Sequence, residues 1–210
     1  MKVPFRYQIT DSDCVPTTFI NAMQFLYERD EIPQAVIKTI IAASQNIVSA
    51  YNEIGKEGTT RFAIEYILEF IESYRTDNFA CAYEYILDDK VHLGPNNKII
   101  SCLNNGGTAL LCVCTDNTDV NTHYILALGQ DFDKSKLLFF DPLYRDRKFY
   151  GETSDTVEWL GINYIDKTTK RFPGQNPNLK VSRERLNSYK CQKYSMGPNN
   201  IRECCLLWRL

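Results

Sequence analysis

Apolar residues recur at helical spacing along the first third of the chain. The first such pattern predicts a helix that begins near Cys14, with Asp13 as its N-cap and Pro16 in its first turn, where a missing N–H costs little. Its apolar face consists of Phe19, Ala22, Met23 and Leu26. We therefore expect this helix to hold Cys14 firmly against a core.

Two further helical patterns follow. The second begins at Pro33 and continues to Tyr51, and a proline near the first turn supports a start there. The third starts after Gly58, with Thr59 or Thr60 as its N-cap, and runs to Tyr74. Together these patterns predict a helical part over about residues 14–75.

From about residue 79 the apolar pattern changes to short segments separated by polar loops, which favours strands. The predicted strands are 79–87, 108–115, 123–129, 137–141 and 155–166. A helix remains an alternative for the first of them, and a short helix through Leu103 is predicted to end at Gly106-Gly107. The strands from 108 to 141 are expected to form an antiparallel meander, so the sheet part covers about residues 79–166.

Residues 167–200 form the polar part of the chain, and we expect a loop-rich C-terminal extension over residues 167–210. Turns at 173–178 and 197–200 surround a short helix predicted from Ser182. The apolar segment 204–208 is expected to return as a strand or a packed segment. Helices first and strands afterwards indicate one α+β domain over residues 1–210, with N-terminal helices packed on an antiparallel sheet.

Composition limits the function classes. The 210 residues suffice for one sizeable core, and a net charge of −2 with 12% aromatic residues argues against disorder and against an electrostatic nucleic-acid binder. No run reaches the roughly 18 apolar residues of a membrane span. The first twenty residues lack the apolar core of a secretory signal, so we expect a cytoplasmic protein.

Eight cysteines could form disulfides, but several lie in apolar runs and no export signal is visible, so mostly free thiols are expected. The sequence contains no Cys-x-x-Cys and only two histidines, His92 and His123, which argues against zinc. Gly106-Gly107 lacks the spacing and the lysine of a phosphate-binding loop. We therefore expect neither a metal nor a cofactor.

Four residues suggest thiol chemistry. A cysteine at a helix start, such as Cys14, is favoured as a thiolate by the helix dipole and by free N–H groups. His123 begins a predicted strand and could act as its base, and Asp141 ends the next strand and could orient the imidazole. Gln8, six positions before Cys14, could donate an amide N–H to an oxyanion. Taken singly, each residue is as readily structural, since a lone buried cysteine is usually a small hydrophobe.

In this order, Gln8, Cys14, His123 and Asp141 resemble the papain-like cysteine peptidases. The branch of bacteriocin-processing, double-glycine leader peptidases is similar in four short segments, and the similarity covers about residues 8–144. These segments are 13–16 (Asp-Cys-Val-Pro), the helix start 58–59 (Gly-Thr), 123–124 (His-Tyr) and 141–142 (Asp-Pro). The resemblance implies a papain-like fold with Cys14 as nucleophile, His123 as base and then acid, Asp141 as orienter and Gln8 as oxyanion donor. Its substrate would be a peptide or protein.

Three functions are left open. The first is a cysteine peptidase that hydrolyses a peptide bond through a thioester acyl-enzyme. The second passes the same acyl group to an amine, as an acyltransferase or transglutaminase-like enzyme does. The third is a catalytically silent module that binds a peptide, suggested by Val15, which stands where the leader-peptidase branch commonly has glycine and could narrow the channel beside the thiol.

Overall fold

A computed structural model describes residues 1–45, 58–144, 154–161 and 172–210. Within these ranges the chain forms five α-helices and seven strands. The helices are α1 Cys14–Leu26, α2 Gln34–Ser44, α3 Arg61–Ser73, α4 Lys98–Asn104 and α5 Arg183–Asn187. The strands are β1 Cys81–Leu87, β2 Thr108–Cys114, β3 Thr122–Gln130, β4 Lys136–Phe140, β5 Val157–Trp159, β6 Leu179–Ser182 and β7 Glu203–Arg209.

The seven strands form one sheet in the order β1-β7-β2-β3-β4-β6-β5, and each neighbouring pair is antiparallel. The predicted meander is present as β2, β3 and β4. Helices α1 to α3 precede the first strand along the chain, so the expected α+β class is confirmed.

Residues 167–210 were expected to form a loop-rich extension, but they contribute two strands, β6 and β7, to the sheet. Strand β6 pairs with both β4 and β5, and β7 lies between β1 and β2. In β6 only Leu179 and Val181 alternate with polar residues, and this pattern is too short to signal a strand. The short helix predicted from Ser182 is present as α5, and the Ser182 hydroxyl accepts the Arg185 N–H at 3.1 Å.

The helix starts agree with the sequence patterns, with one correction. Thr60 caps α3, since its hydroxyl accepts the Ala63 N–H at 3.2 Å. Asp13 stands at the N-cap position of α1, but its carboxylate accepts the Thr10 N–H at 3.2 Å and does not cap the first turn. Two predicted ends lie outside the described residues. These are the end of the second helix, predicted at residue 51, and the end of the strand that contains β5, predicted at residue 166.

The sheet has an apolar core on each face. One core lies between the sheet and helices α1 to α3 and includes Phe19, Ile67 and Leu126. The other includes Ile99 of α4, Leu186 of α5 and Phe139 of β4. Packing of α1 on the sheet fixes where its N-terminus lies relative to β3. Within the described ranges, none of the helices combines the length and the apolar character needed to cross a membrane.

Candidate active site

Cys14 is the first residue of α1, and this end of the helix is tied to β3. The Thr18 hydroxyl contacts two carbonyl oxygens, that of Cys14 at 2.6 Å and that of Tyr124 at 3.1 Å. Because Tyr124 follows His123, this contact brings the start of the helix beside the start of the strand. The Cys14 thiol and the His123 ring are neighbours, and each changes the pKa of the other.

His123 and Asp141 meet at one end of the sheet. Leu126 of β3 lies opposite Phe140 of β4, so the first residues of β3 and the residue that follows β4 are neighbours. The distance from His123 Nε2 to Asp141 Oδ1 is 2.7 Å, and both side chains are buried. A buried imidazole that bonds a carboxylate on one side and a thiol on the other is held in a fixed orientation.

The charges of this group are coupled. Burial disfavours the Asp141 carboxylate, but the charge and hydrogen bond of His123 and the hydroxyl of Tyr194 outweigh burial and lower its pKa. Burial also disfavours the imidazolium, yet Asp141 and Cys14 together raise the pKa of His123 to about 10. For Cys14, burial acts against ionisation, and the hydrogen bond and charge of His123 lower the thiol pKa overall. The arrangement favours a thiolate–imidazolium pair.

Gln8, the fourth predicted residue, lies near the site, but its amide is engaged elsewhere. Its backbone N–H donates to the Pro142 carbonyl at 2.8 Å, which places Gln8 beside the segment after Asp141. Its Nε2 donates to the Thr10 carbonyl at 2.8 Å and to the Asp11 carbonyl at 3.3 Å. Its Oε1 is buried without a hydrogen-bond partner among the described residues. The structure therefore brings Gln8 to the site without a free amide N–H directed at the thiol.

The side chain of Val15 lies in the core beneath α1. Its side chain is only 2% exposed and belongs to the core under α1 to α3. Its backbone N–H contributes to the lowered pKa of the Cys14 thiol. Val15 therefore contributes to the packing of α1 on the sheet.

Two residues that the sequence did not single out also contact Asp141. Asn178 accepts the Asp141 N–H on its Oδ1 at 2.8 Å and donates from its Nδ2 to the Asp141 carbonyl at 2.9 Å. The Tyr194 hydroxyl donates to Asp141 Oδ2 at 2.6 Å. The sequence gives one weak signal, a turn-forming Pro177-Asn178 before an apolar segment, and none for Tyr194.

The other candidate groups lie outside this arrangement. His92 sits in a loop, where its Nδ1 accepts the Gly94 N–H at 3.1 Å. All eight cysteines fall within the described ranges and carry free thiols. No cluster of three or more histidine, cysteine or carboxylate side chains suited to a metal ion occurs in the part of the chain that the structure describes.

A thiol, an imidazole and a carboxylate in series on an α+β fold form a candidate nucleophilic cysteine site. Comparison of the chain with models of known protein families, with curated proteins and with solved structures finds no match. The function must therefore be argued from the geometry of this site alone.

Proposed function

We propose that this chain is a papain-like cysteine peptidase that hydrolyses a peptide bond in a peptide or protein substrate. The observation that carries the proposal is the unbroken series of contacts from the Cys14 thiol through the His123 ring to the buried Asp141 carboxylate. The lowered thiol pKa and the raised imidazole pKa are those of a nucleophile activated by an adjacent base.

In this proposal the Cys14 thiolate attacks the carbonyl carbon of the scissile bond and forms a tetrahedral intermediate. The His123 imidazolium then gives its proton to the leaving amine, and a thioester remains on Cys14. Water, deprotonated by His123, attacks the thioester and releases the acid. Asp141 keeps the imidazole oriented and stabilises its charged form throughout.

The oxyanion would need donors beside the thiol. The backbone N–H of Cys14 at the start of α1 is one proposed donor, and the Gln8 amide is the other. Gln8 could serve only by releasing a present contact, and the one to the Asp11 carbonyl, at 3.3 Å, is the longer of its two. We therefore expect substrate binding to turn the Gln8 amide from Asp11 towards the substrate oxygen.

The first experiment measures alkylation of all eight cysteines by iodoacetamide, peptide by peptide in a mass spectrometer, between pH 5 and pH 9. Below pH 7, Cys14 is expected to react faster than the other seven cysteines, because His123 stabilises its thiolate. Cys102 is a matched comparison, since it is also half-buried but burial raises its pKa to about 11. A Cys14 that reacts no faster than Cys102 below pH 7 would contradict the proposal.

The second experiment tests turnover by incubating the chain with a peptide library and identifying products by mass spectrometry. Cleavage is expected from the wild type and from Cys102→Ala, and not from Cys14→Ala. Full cleavage by Cys14→Ala would rule out Cys14 as the nucleophile. Adding primary amines to the same reaction separates hydrolysis from acyl transfer, since the second yields amide products.

The engaged amide of Gln8 favours a second candidate, a module that binds a peptide without cleaving it. An oxyanion hole that stays closed would leave the thiol reactive without supporting turnover. The two candidates separate if Cys14 alkylates rapidly while no library peptide is cleaved, since that combination supports the binding module.

A further inference from the structure

The Asp141 carboxylate is held by donors on both of its oxygens. Oδ1 accepts from His123 Nε2 at 2.7 Å and from the Leu143 N–H at 2.9 Å, and Oδ2 accepts from the Tyr194 hydroxyl at 2.6 Å. A carboxylate with donors on both oxygens cannot rotate without losing one of them. We propose that Tyr194 is a positioning residue whose hydroxyl fixes Asp141 in the orientation that holds His123, an inference that rests on the proposed peptidase function.

The backbone at Tyr194 supports this role. Its φ is +62°, a left-handed conformation that non-glycine residues adopt rarely and at a cost in free energy. Its N–H donates to the Cys114 carbonyl at 2.8 Å, and the next residue, Ser195, accepts the Cys114 N–H at 2.7 Å. The loop is thus joined to the end of β2 by two backbone bonds, and the strained conformation is the one that buries the tyrosine ring.

A buried arginine fixes the other side of the same loop. The Arg202 side chain is 1% exposed, and its guanidinium donates to the Gly197 carbonyl at 2.7 Å and to the Val91 carbonyl at 2.9 Å. It also donates to the carbonyls of Asn187 at 2.9 Å and Ser188 at 3.2 Å. Segments before and after Tyr194 are therefore held by one cation.

The hydroxyl has an electrostatic consequence as well as a geometric one. A buried carboxylate that loses a donor becomes easier to protonate, because burial disfavours its charged form. Among the described residues, the titratable groups that face Asp141 are His123, Tyr194 and Tyr7, with Cys14 beyond His123. If Asp141 takes up a proton, His123 loses its counter-charge and stabilises the Cys14 thiolate less. Removing the hydroxyl is therefore expected to move the onset of Cys14 reactivity to higher pH.

The test is the pH profile of Cys14 alkylation by iodoacetamide in Tyr194→Phe. The acid limb of this profile is the pH range over which the alkylation rate rises as Cys14 loses its proton. It is expected to move up by about 0.5 to 1 pH unit, so that alkylation at a pH below the limb slows about 3- to 10-fold. The matched control is Tyr27→Phe, since Tyr27 is also buried and its hydroxyl donates to a carbonyl, that of Ala80, at 2.6 Å. That variant loses a comparable hydrogen bond and is expected to keep the wild-type limb.

A second variant covers the case in which Tyr194→Phe does not fold. Incorporation of 3-fluorotyrosine at position 194 preserves the shape of the ring and makes the hydroxyl a stronger donor, so the limb should move to lower pH. Opposite displacements in the two variants support a positioning role that a merely structural contact would not produce. An unchanged limb in the 3-fluorotyrosine protein overturns the inference.

The outcomes separate this inference from the proposed function. If wild-type Cys14 reacts no faster than the other thiols below pH 7, the proposed function fails. If Cys14 is hyperreactive in the wild type and the limb stays in place in Tyr194→Phe and in the 3-fluorotyrosine protein, the peptidase proposal stands and the role of Tyr194 is refuted.

Discussion

Replacing Asp141 by asparagine would separate the charge of this side chain from its shape. The Asn178 side chain holds the backbone of residue 141. Its Oδ1 accepts the N–H of residue 141 at 2.8 Å, and its Nδ2 donates to the carbonyl of residue 141 at 2.9 Å. An asparagine Oδ1 can still accept from His123, and its amide N–H can donate to the Tyr194 oxygen. We therefore expect Asp141→Asn to fold as the wild type does while the negative charge is lost.

The size of the effect follows from the pKa of His123. Burial lowers this pKa, but Asp141 and then Cys14 raise it from 6.5 to about 10. Since a tenfold change in an acid constant is about 1.4 kcal/mol, the rise corresponds to roughly 5 kcal/mol in favour of the imidazolium. Without the carboxylate, burial dominates, and we expect the pKa of His123 to fall by about 2 pH units or more.

Nuclear magnetic resonance of histidine-labelled protein measures this directly. The chain has two histidines, so His92 gives a second signal in the same spectrum that reports whether the fold is unchanged. In Asp141→Asn the His123 ring is expected to lose its proton at a pH about 2 units or more lower than in the wild type, and the His92 signal is expected to be the same in both proteins. If His123 titrates at the same pH in both proteins, Asp141 does not set its charge and the electrostatic reasoning is wrong.

The same substitution changes the response to acid. The pKa of Asp141 is lowered in the folded chain from 3.8, so the stability that its charge contributes is present above that pH and is lost as the pH falls. The difference in free energy of unfolding between wild type and Asp141→Asn should therefore shrink below about pH 4. Urea denaturation at pH 4.5 and pH 3, where His123 of the unfolded chain is protonated throughout, measures this change, and a difference that grows over that interval would contradict the assignment.

Two further predictions concern the loop that carries Tyr194. Arg202→Met should lower the free energy of unfolding by at least about 3 kcal/mol, because several buried carbonyls lose their donor. Urea denaturation measures the loss, with the exposed Arg29→Met as a control. A loss below about 1 kcal/mol, as expected of the control, would refute this prediction. Gly197→Ala should lower the stability more than Gly106→Ala. Both glycines have a positive φ, +69° and +81°, but at Gly197 a Cβ would lie 2.9 Å from the Cys114 sulfur and from Ile201 Cδ1, whereas at Gly106 it would meet no atom within 4 Å. Thermal unfolding compares the two variants, and equal losses would show that these neighbouring side chains move aside freely.

The parts of the site that could be predicted are those set by local pattern. Helical spacing after Cys14 predicts α1, and short apolar strands predict the meander, because both periodicities arise from backbone geometry. An antiparallel meander brings the start of one strand beside the end of the next, which accounts for the contact of His123 with Asp141. The positions of Cys14, His123 and Asp141 relative to one another could therefore be predicted from the sequence.

The parts that could not be predicted depend on contacts between distant segments. Asn178 and Tyr194 reach Asp141 across 37 and 53 positions of the sequence, and no periodicity encodes such a meeting. The Gln8 amide was expected to donate to an oxyanion, but it donates to two carbonyls of the turn before α1. A side-chain amide beside a turn can bond the backbone carbonyls of nearby residues, and here both lie within three positions of Gln8.

The position of β7 between β1 and β2 has a consequence for how the chain folds. Tyr85 of β1 and Glu203 of β7 are joined at 2.8 Å although 118 positions separate them, and β7 also forms the ladder with β2. Contacts of such long range require closure of a large loop before they contribute, which slows folding. Until β7 docks, the facing edges of β1 and β2 have unpaired N–H and carbonyl groups, and such edges pair readily with other chains. We therefore expect refolding yield to fall with protein concentration, because β7 of one molecule competes with β7 of another for the same gap.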